Sequence, residues 1–369
     1  MLIGYLIYII LIMLNAIAYL NSVRIKGVEI CSLVFLIMMM GGNVMNADYE
    51  NYAYWYESGD YPIVIEPGYQ LVASLFANVG FSFIVFHFIF VTASILLGMR
   101  AISKLIDNYH LLLTFYLSYS IIIDTIQIRN TMATAFLLIA IVCMVDGKKW
   151  KSALFLTIAS SFHFSFLLFF VLLLYRPLDI YVSKYTMRFV IVVTCMCGIA
   201  ALSTFLQDNF GAFVSIIWNE SKAVYVKSKL FNIVYLLFPF LSFLLVSICR
   251  DYMSIDIEQS DDGDDNSPKT YADILYGIYA FLLLMSPILI LSQDTLRIHR
   301  DMNVGLVVMV TIAFQSIWFK VDDYKGRFSP PFTIVLALSL FCLWMIGGQA
   351  WPNFHEVFGN NYFFNDNNF

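Results

Sequence analysis

Charge is scarce in this chain: only 13% of its 369 residues are Asp, Glu, Lys or Arg, against 60% hydrophobic, and mean hydropathy is +0.78. So thin a charge complement excludes an ordinary soluble domain. Cysteines number six, and Cys31, Cys143, Cys195, Cys197, Cys249 and Cys342 all fall inside apolar stretches. Neither a structural disulfide nor a cysteine-built metal site is expected. No glycine-rich phosphate loop and no metal-ligand spacing occur, so no nucleotide, metal or other cofactor is expected. The acidic run Asp261-Asp262-Gly263-Asp264-Asp265 lacks the spacing and closing Glu of a calcium loop and reads as a solvated linker. Internal repeats of the kind that mark paired transporter halves are missing. The first segment, Leu2 to Leu20, has no basic leader and no small-residue cleavage motif, and reads as a retained span.

What the chain has instead is long apolar runs. Membrane segments are expected at about 2–20, 30–45, 80–99, 109–126, 130–146, 152–162, 164–175, 189–206, 230–249, 271–291, 301–319 and 328–347. This is an all-α, polytopic integral membrane protein with about twelve membrane helices, a single domain over 1–369. The two segments flanking His163 are too short to span alone at ~1.5 Å per residue. They form a broken helix or, preferably, a hairpin, because a hairpin keeps Lys148, Lys149 and Lys151 on the same side as Arg176, Lys184 and Arg188. Under that topology 15 of the 21 basic residues lie in inner loops, and Arg129, Lys222, Lys227, Lys229, Arg297 and Arg300 are left outside. Both termini are then external. The remaining features are an outer acidic and aromatic loop with an amphipathic helix at 46–79, an outer amphipathic stretch at 207–229 and a flexible acidic inner loop at 250–270. Lys222, Lys227 and Lys229 read as a solvated face of the second of these.

The outer loops and the apolar junctions carry the chemistry. Asn46 to Tyr69 holds Asp48, Glu50, Glu57, Asp60 and Glu66 with no basic residue, and its tyrosines, Tyr52 and Tyr69 among them, offer the flat faces and polar edges that suit sugars. An interfacial aromatic belt would use the same residues. Glu66-Pro67-Gly68-Tyr69 opens a short helix, where Glu66 either serves the helix terminus or does chemistry. Arg129 heads a span beginning Arg129-Asn130-Thr131-Met132-Ala133, with small residues below it for close helix approach. Arg297 and Arg300 share a helix face, and a guanidinium suits bidentate binding of a diphosphate. Headgroup anchoring for Arg129 and pairing with Asp294 or Asp301 for the other two are the plain alternatives. His163, in Ser160-Ser161-Phe162-His163-Phe164-Ser165, is costly inside an apolar stretch and marks a functional position or a neutral hydrogen-bonded imidazole. His87, alone in its span, reads as structural.

In this order, Asp-x-x-x-Tyr, then Glu-Pro-Gly-Tyr, then Arg-Asn-x-x-Ala, then Ser-x-Phe-His-x-Ser at a helix break and a late outer Arg, the motifs resemble those of the EpsG family of Wzy-type polysaccharide polymerases. The matching residues are Asp48, Tyr52, Glu66, Gly68, Arg129, His163, Ser165 and Arg297. Asn130 stands where Gln is frequent in that family, and Phe166 where a small residue is common. The resemblance implies a GT-C-like fold and a metal-independent, inverting glycosyltransferase. Such an enzyme joins oligosaccharide repeat units carried on undecaprenyl diphosphate at the outer face of the bacterial cytoplasmic membrane.

That chemistry needs a base for a sugar hydroxyl and cations for the departing diphosphate. His163, Asp48 or Glu66 are the candidate bases. Arg129, Arg297 and Arg300 are candidates for the diphosphate, with Tyr52, Tyr69 and Ser165 as substrate contacts. The expected partners are the lipid-linked donor and acceptor, membrane lipid, and possible accessory proteins in the form of a chain-length regulator and a flippase. Nucleic acid is not among them. A flippase for lipid-linked oligosaccharide, or a ligase of O-antigen type, would draw on many of the same residues.

Overall fold

The computed structural model describes residues 2–46, 48–62, 66–203, 235–259, 267–291, 296–318, 336–340 and 350–364. Among these the chain is helical, without strands; a lone antiparallel bridge pairs Asn43 with Asn361. Two units divide it, residues 1–170 with 341–369, and residues 171–340.

The first unit is an array of antiparallel helices: α1 Leu2–Leu20, α2 Lys26–Gly41, α3 Tyr49–Ser58, α4 Pro67–Val79 and α5 Phe83–Ile102 come first. Next come α6 His110–Phe115, a π-helical turn Tyr116–Ser120, α7 Ile121–Ile126, α8 Ile128–Val145 and α9 Lys149–Phe162. Helical periodicity explains the packing of α1, where Tyr8, Leu11, Asn15 and Ala18 are buried while Leu6, Ile10, Met13 and Ile17 are exposed. An apolar face left open beside a buried stripe is what lipid contact requires. Ile3–Leu20, Phe83–Ile102, Ile128–Val145 and Phe164–Leu202 are long and apolar enough to cross a membrane, and His110–Ile126 is a shorter apolar run. The protein is a membrane protein.

Alternation of these helices gathers Arg24, Lys26, Arg100, Lys104, Lys148, Lys149 and Lys151 at one end of the unit and Tyr49–Ser58, Glu66 and Arg129 at the other. At the basic end a buried polar network ties α1, α2 and α6 together. The Ile25 N–H donates to His110 Nε2 at 2.9 Å, which leaves Nδ1 to carry the ring proton and donate to Asn15 Oδ1 at 2.7 Å. Asn15 Nδ2 in turn donates to Ser32 Oγ at 2.7 Å and to the Leu11 carbonyl at 2.8 Å. Each partner is satisfied, so a polar cluster sits in an apolar bundle without an orphaned group.

Three departures from the sequence reading concern helix continuity. The expected span 109–126 contains the π turn, across which Tyr116 OH donates to Asp124 Oδ2 at 2.6 Å. The expected loop at 176–188 is helix: α10 runs Tyr175–Leu202 with one non-helical residue, Tyr185, because this stretch is polar yet has no breaker after Pro177. The expected acidic loop at 250–270 begins later than read, since a helix covers Leu237–Gln259 and another starts at Ser267. Residues 207–229 and most of 328–347 lie outside the described residues.

The second unit holds α10, α11 Leu237–Gln259, α12 Ser267–Leu284, α13 Ser286–Leu291, α14 Leu296–Asp301 and α15 Asn303–Trp318. Arg250 clamps it by pairing with Asp179 at 2.6 Å and Asp273 at 2.7 Å while lying over the Tyr276 ring. A final helix, α16 Ala350–Gly359, returns to the first unit and packs on α7 and α2, with Phe354 and Phe358 against Tyr5 and Tyr8.

Candidate active site

The site is built where three helix ends meet. Helix α8 packs along α9, and with 18 residues it is about 27 Å long, whereas α9 has 14 and is about 21 Å. Starting from the same short turn, α9 therefore stops about one helical turn below the Arg129 end of α8. His163 follows in extended conformation (φ −155°, ψ 117°) and the chain continues as a 3₁₀ helix over Phe164–Leu174. In that helix Phe166, Phe169 and Leu172 are fully buried, the three-residue spacing that a 3₁₀ turn lays along one face.

Helix α4 seals the break. A Cβ on Gly68 would stand 2.8 Å from the Ser161 carbonyl oxygen and 2.9 Å from its carbon, so only glycine permits this contact. The close approach brings Glu66, at the start of α4, over the end of α9. Glu66 makes no capping bond to its own helix; the Phe164 N–H donates to its Oε1 at 3.3 Å, and Arg129 Nη1 pairs with its Oε2. The side chain thus engages the neighbouring helices, which decides against a helix-capping role.

Arg129 sits in the first turn of α8, after a break at Gln127 (φ −105°, ψ 62°) that Thr131 closes by donating to the carbonyls of Asp124 and Gln127 at 2.9 and 3.2 Å. Its Nε donates to Tyr52 OH at 3.1 Å, and its guanidinium carbon lies 5.3 Å from the Tyr52 ring centroid. Tyr52 comes from α3 and is buried; Tyr69, fully buried, lies beneath it at 5.5 Å between ring centroids and contacts Phe86 and Phe90. Tyr69 is accordingly a floor for Tyr52, not an open ring. Burial pushes the Tyr52 hydroxyl up to about 12, with Arg129 opposing and Asp48 reinforcing the rise. At neutral pH it is a neutral donor or acceptor. Burial likewise pushes the Tyr69 hydroxyl well above its usual value.

His163 is held by Ser165, whose Oγ lies 2.7 Å from Nδ1. The Ser165 N–H also donates to that nitrogen, at 3.4 Å, and a backbone amide cannot accept, so Nδ1 is the acceptor and the proton of the neutral ring sits on Nε2. Asp48, half-buried, lies one turn before Tyr52, whose N–H donates to the Asp48 carbonyl at 3.1 Å.

Glu66, Arg129, Tyr52, Tyr69, His163 and Ser165 are therefore brought to one place, with Asp48 one turn away. Arg297 and Arg300 belong to the second unit, half-buried on α14. Between them His299 is buried, with no hydrogen-bond partner for either ring nitrogen among the described residues. His87 is buried in α5 and bonds the Met40 carbonyl at 3.1 Å, a structural placement. Missed from sequence were the Tyr116–Asp124 pair and the Phe164 amide; a π turn has no pattern of its own, and a backbone donor has no sequence signature at all.

Motifs separated by tens of residues thus meet in a single cluster, and over residues 28–354 the chain matches the model of the EpsG family. The chain belongs to the EpsG family. That is the family of Wzy-type polysaccharide polymerases, so the cluster lies within a polymerase-family membrane protein. No curated protein and no solved structure shows a significant match.

Proposed function

We propose that this EpsG-family protein is a metal-independent, inverting glycosyltransferase. It polymerises undecaprenyl-diphosphate-linked repeat units at the outer face of the cytoplasmic membrane, and the Arg129–Glu66 cluster is its reaction centre. The observation that carries this reading is Glu66, whose one carboxylate engages both Arg129 and the Phe164 amide beside His163. A carboxylate, a histidine with a serine partner and an arginine at a helix N-terminus supply a base and an anion-binding group within a few ångströms.

The pairing also suggests an order of events. Glu66 stands where an anion is favoured, at the guanidinium and the positive end of α8. A donor diphosphate entering there competes with Glu66 for Arg129, so charge on the departing lipid diphosphate is stabilised as the sugar–phosphate bond breaks. Glu66, released, or Asp48, or His163 at Nδ1 once that nitrogen leaves Ser165, takes the proton from the acceptor hydroxyl as that oxygen attacks the anomeric carbon. Arg297 and Arg300 are assigned to the diphosphate as well, and Tyr52 to the sugar and to Arg129.

Deleting the gene and resolving surface polysaccharide on a gel tests the reading. A single capped repeat unit in place of a ladder is the expected result. Full-length but unattached polymer identifies a ligase, and internal accumulation of lipid-linked units a flippase; either overturns the proposal.

A further inference from the structure

Two buried asparagines outside the site form a directional chain that reaches it, and a third braces the same segment. Asn46 Oδ1 accepts from the backbone N–H groups of Asp48 and Tyr49, both at 3.0 Å, and so terminates the otherwise uncapped start of α3. With its oxygen so engaged, its amide nitrogen faces Asn43 and donates to Oδ1 at 2.7 Å. That fixes the Asn43 amide in turn: its Nδ2 donates to the Val357 carbonyl at 3.1 Å and the Glu356 carbonyl at 3.4 Å, near the end of α16. The Val357 carbonyl belongs to the last turn, where a helix leaves carbonyls without internal partners, and the Glu356 carbonyl also accepts from the Asn360 N–H at 3.3 Å.

The same C-terminal segment grips the end of α2 by its backbone. Val44 N–H donates to the Asn360 carbonyl at 2.9 Å, Tyr362 N–H to the Gly42 carbonyl at 2.7 Å, and Asn361 Nδ2 to the carbonyls of Met38 and Met39 at 3.1 and 2.8 Å. Asn43, Asn46 and Asn361 are 1%, 6% and 0% exposed, so each bond is sheltered from water. Residues 355–364 lie beyond the part of the chain that the family match covers.

We infer that residues 350–364 position the reaction centre through Asn43 and Asn46, which hold the start of α3 so that Tyr52 stays on Arg129. Asn43 and Asn46 are positioning residues, acting through α3 and touching no reacting group. The consequence for activity rests on the polymerase reading; the consequence for α3 does not.

The test uses the full chain with Asn43→Ala, Asn46→Ala, Asn46→Asp and Tyr52→Phe variants. Hydrogen exchange by mass spectrometry on purified protein reads α3 directly: Asn43→Ala and Asn46→Ala are expected to speed exchange across 48–58 and leave α5 and α8 unchanged. Asn46→Asp keeps an oxygen for both α3 amides and is expected to restore slow exchange in part. Repeat-unit transfer in membranes is expected to fall roughly three- to tenfold in Asn43→Ala, the range one lost buried hydrogen bond gives. The fall should vanish in the Tyr52→Phe background, which a general loss of folded protein would not produce. Unchanged exchange in 48–58, equal effects of Asn46→Ala and Asn46→Asp, or additive losses with Tyr52→Phe overturn the inference. If α3 loosens while transfer stays at the wild-type level, the positioning role is likewise overturned; Arg129→Ala, run alongside, reports separately on the polymerase reading.

Discussion

Replacing Arg129 by Met removes the guanidinium and leaves the Glu66 carboxylate buried against the Phe164 amide without its cation. The two side chains keep only 17% and 7% of their surface exposed, so solvent screens the orphaned charge poorly. Loss of one partner of a buried pair costs about 3–5 kcal/mol. Adding Glu66→Gln removes the stranded charge while keeping an oxygen for the Phe164 N–H. The double variant is therefore expected to be more stable than Arg129→Met alone, by about 1–3 kcal/mol, the penalty of a buried group left unsatisfied. Denaturation of the purified chain in mixed micelles, followed by tryptophan fluorescence, measures both differences. If Glu66→Gln destabilises the Arg129→Met protein as much as it does the wild type, the pair is not coupled. Arg129 is then a headgroup anchor and the site as described does not exist.

Gly68→Ala is expected to push α4 off α9, because its new methyl meets Ser161 backbone atoms that cannot rotate away; a cost of about 1–3 kcal/mol, with loss of polymer, is read from the same denaturation and a gel. His110→Phe strands the Asn15 carboxamide oxygen and the Ile25 N–H, at about 1–3 kcal/mol for each orphaned group, with no change in what the remaining folded protein synthesises. His299 gives a pH signature: burial pushes its imidazole down to about 3, so the fold favours the neutral ring. Its contribution is complete above the unfolded value near 6.5 and is lost as pH falls from there toward about 3, at about 1.4 kcal/mol per unit. Denaturation profiles at stepped pH should show this slope in wild type and a shallower one in His299→Gln.

Much of the architecture was legible because membrane helices announce themselves by composition. The runs 2–20, 80–99 and 130–146 match α1, α5 and α8 to within a few residues, and the break at His163 follows from segments too short to span. The π turn at Tyr116–Ser120 was not legible, having no pattern of its own; the continuation of α10 through 176–188 was missed because its polar stretch reads as a loop, although nothing after Pro177 breaks a helix. Arg129, His163 and Arg297 stood out as ionisable groups at apolar junctions, where retention is costly enough to need a reason; the first two belong to the cluster, and Arg297 lies in the second unit. That Glu66 would join Arg129 and His163 was hidden, because it depends on Gly68 admitting the Ser161 backbone. Tyr69 shows the opposite limit: its loop looked exposed, yet the packing of α3 and α4 on α5 makes it core. The C-terminal helix escaped notice, its 10 residues being too few to register as a span.

The most direct measurement is transfer by the purified chain, reconstituted in vesicles with repeat units on undecaprenyl diphosphate and no added metal, comparing wild type with Arg129→Ala at equal incorporation. Polymerisation at the Arg129–Glu66 cluster predicts a ladder of lengthening lipid-linked glycans from wild type and unextended single units from the variant. A wild-type-length ladder from Arg129→Ala would contradict it, as would wild-type protein that moves the units across the bilayer without joining them.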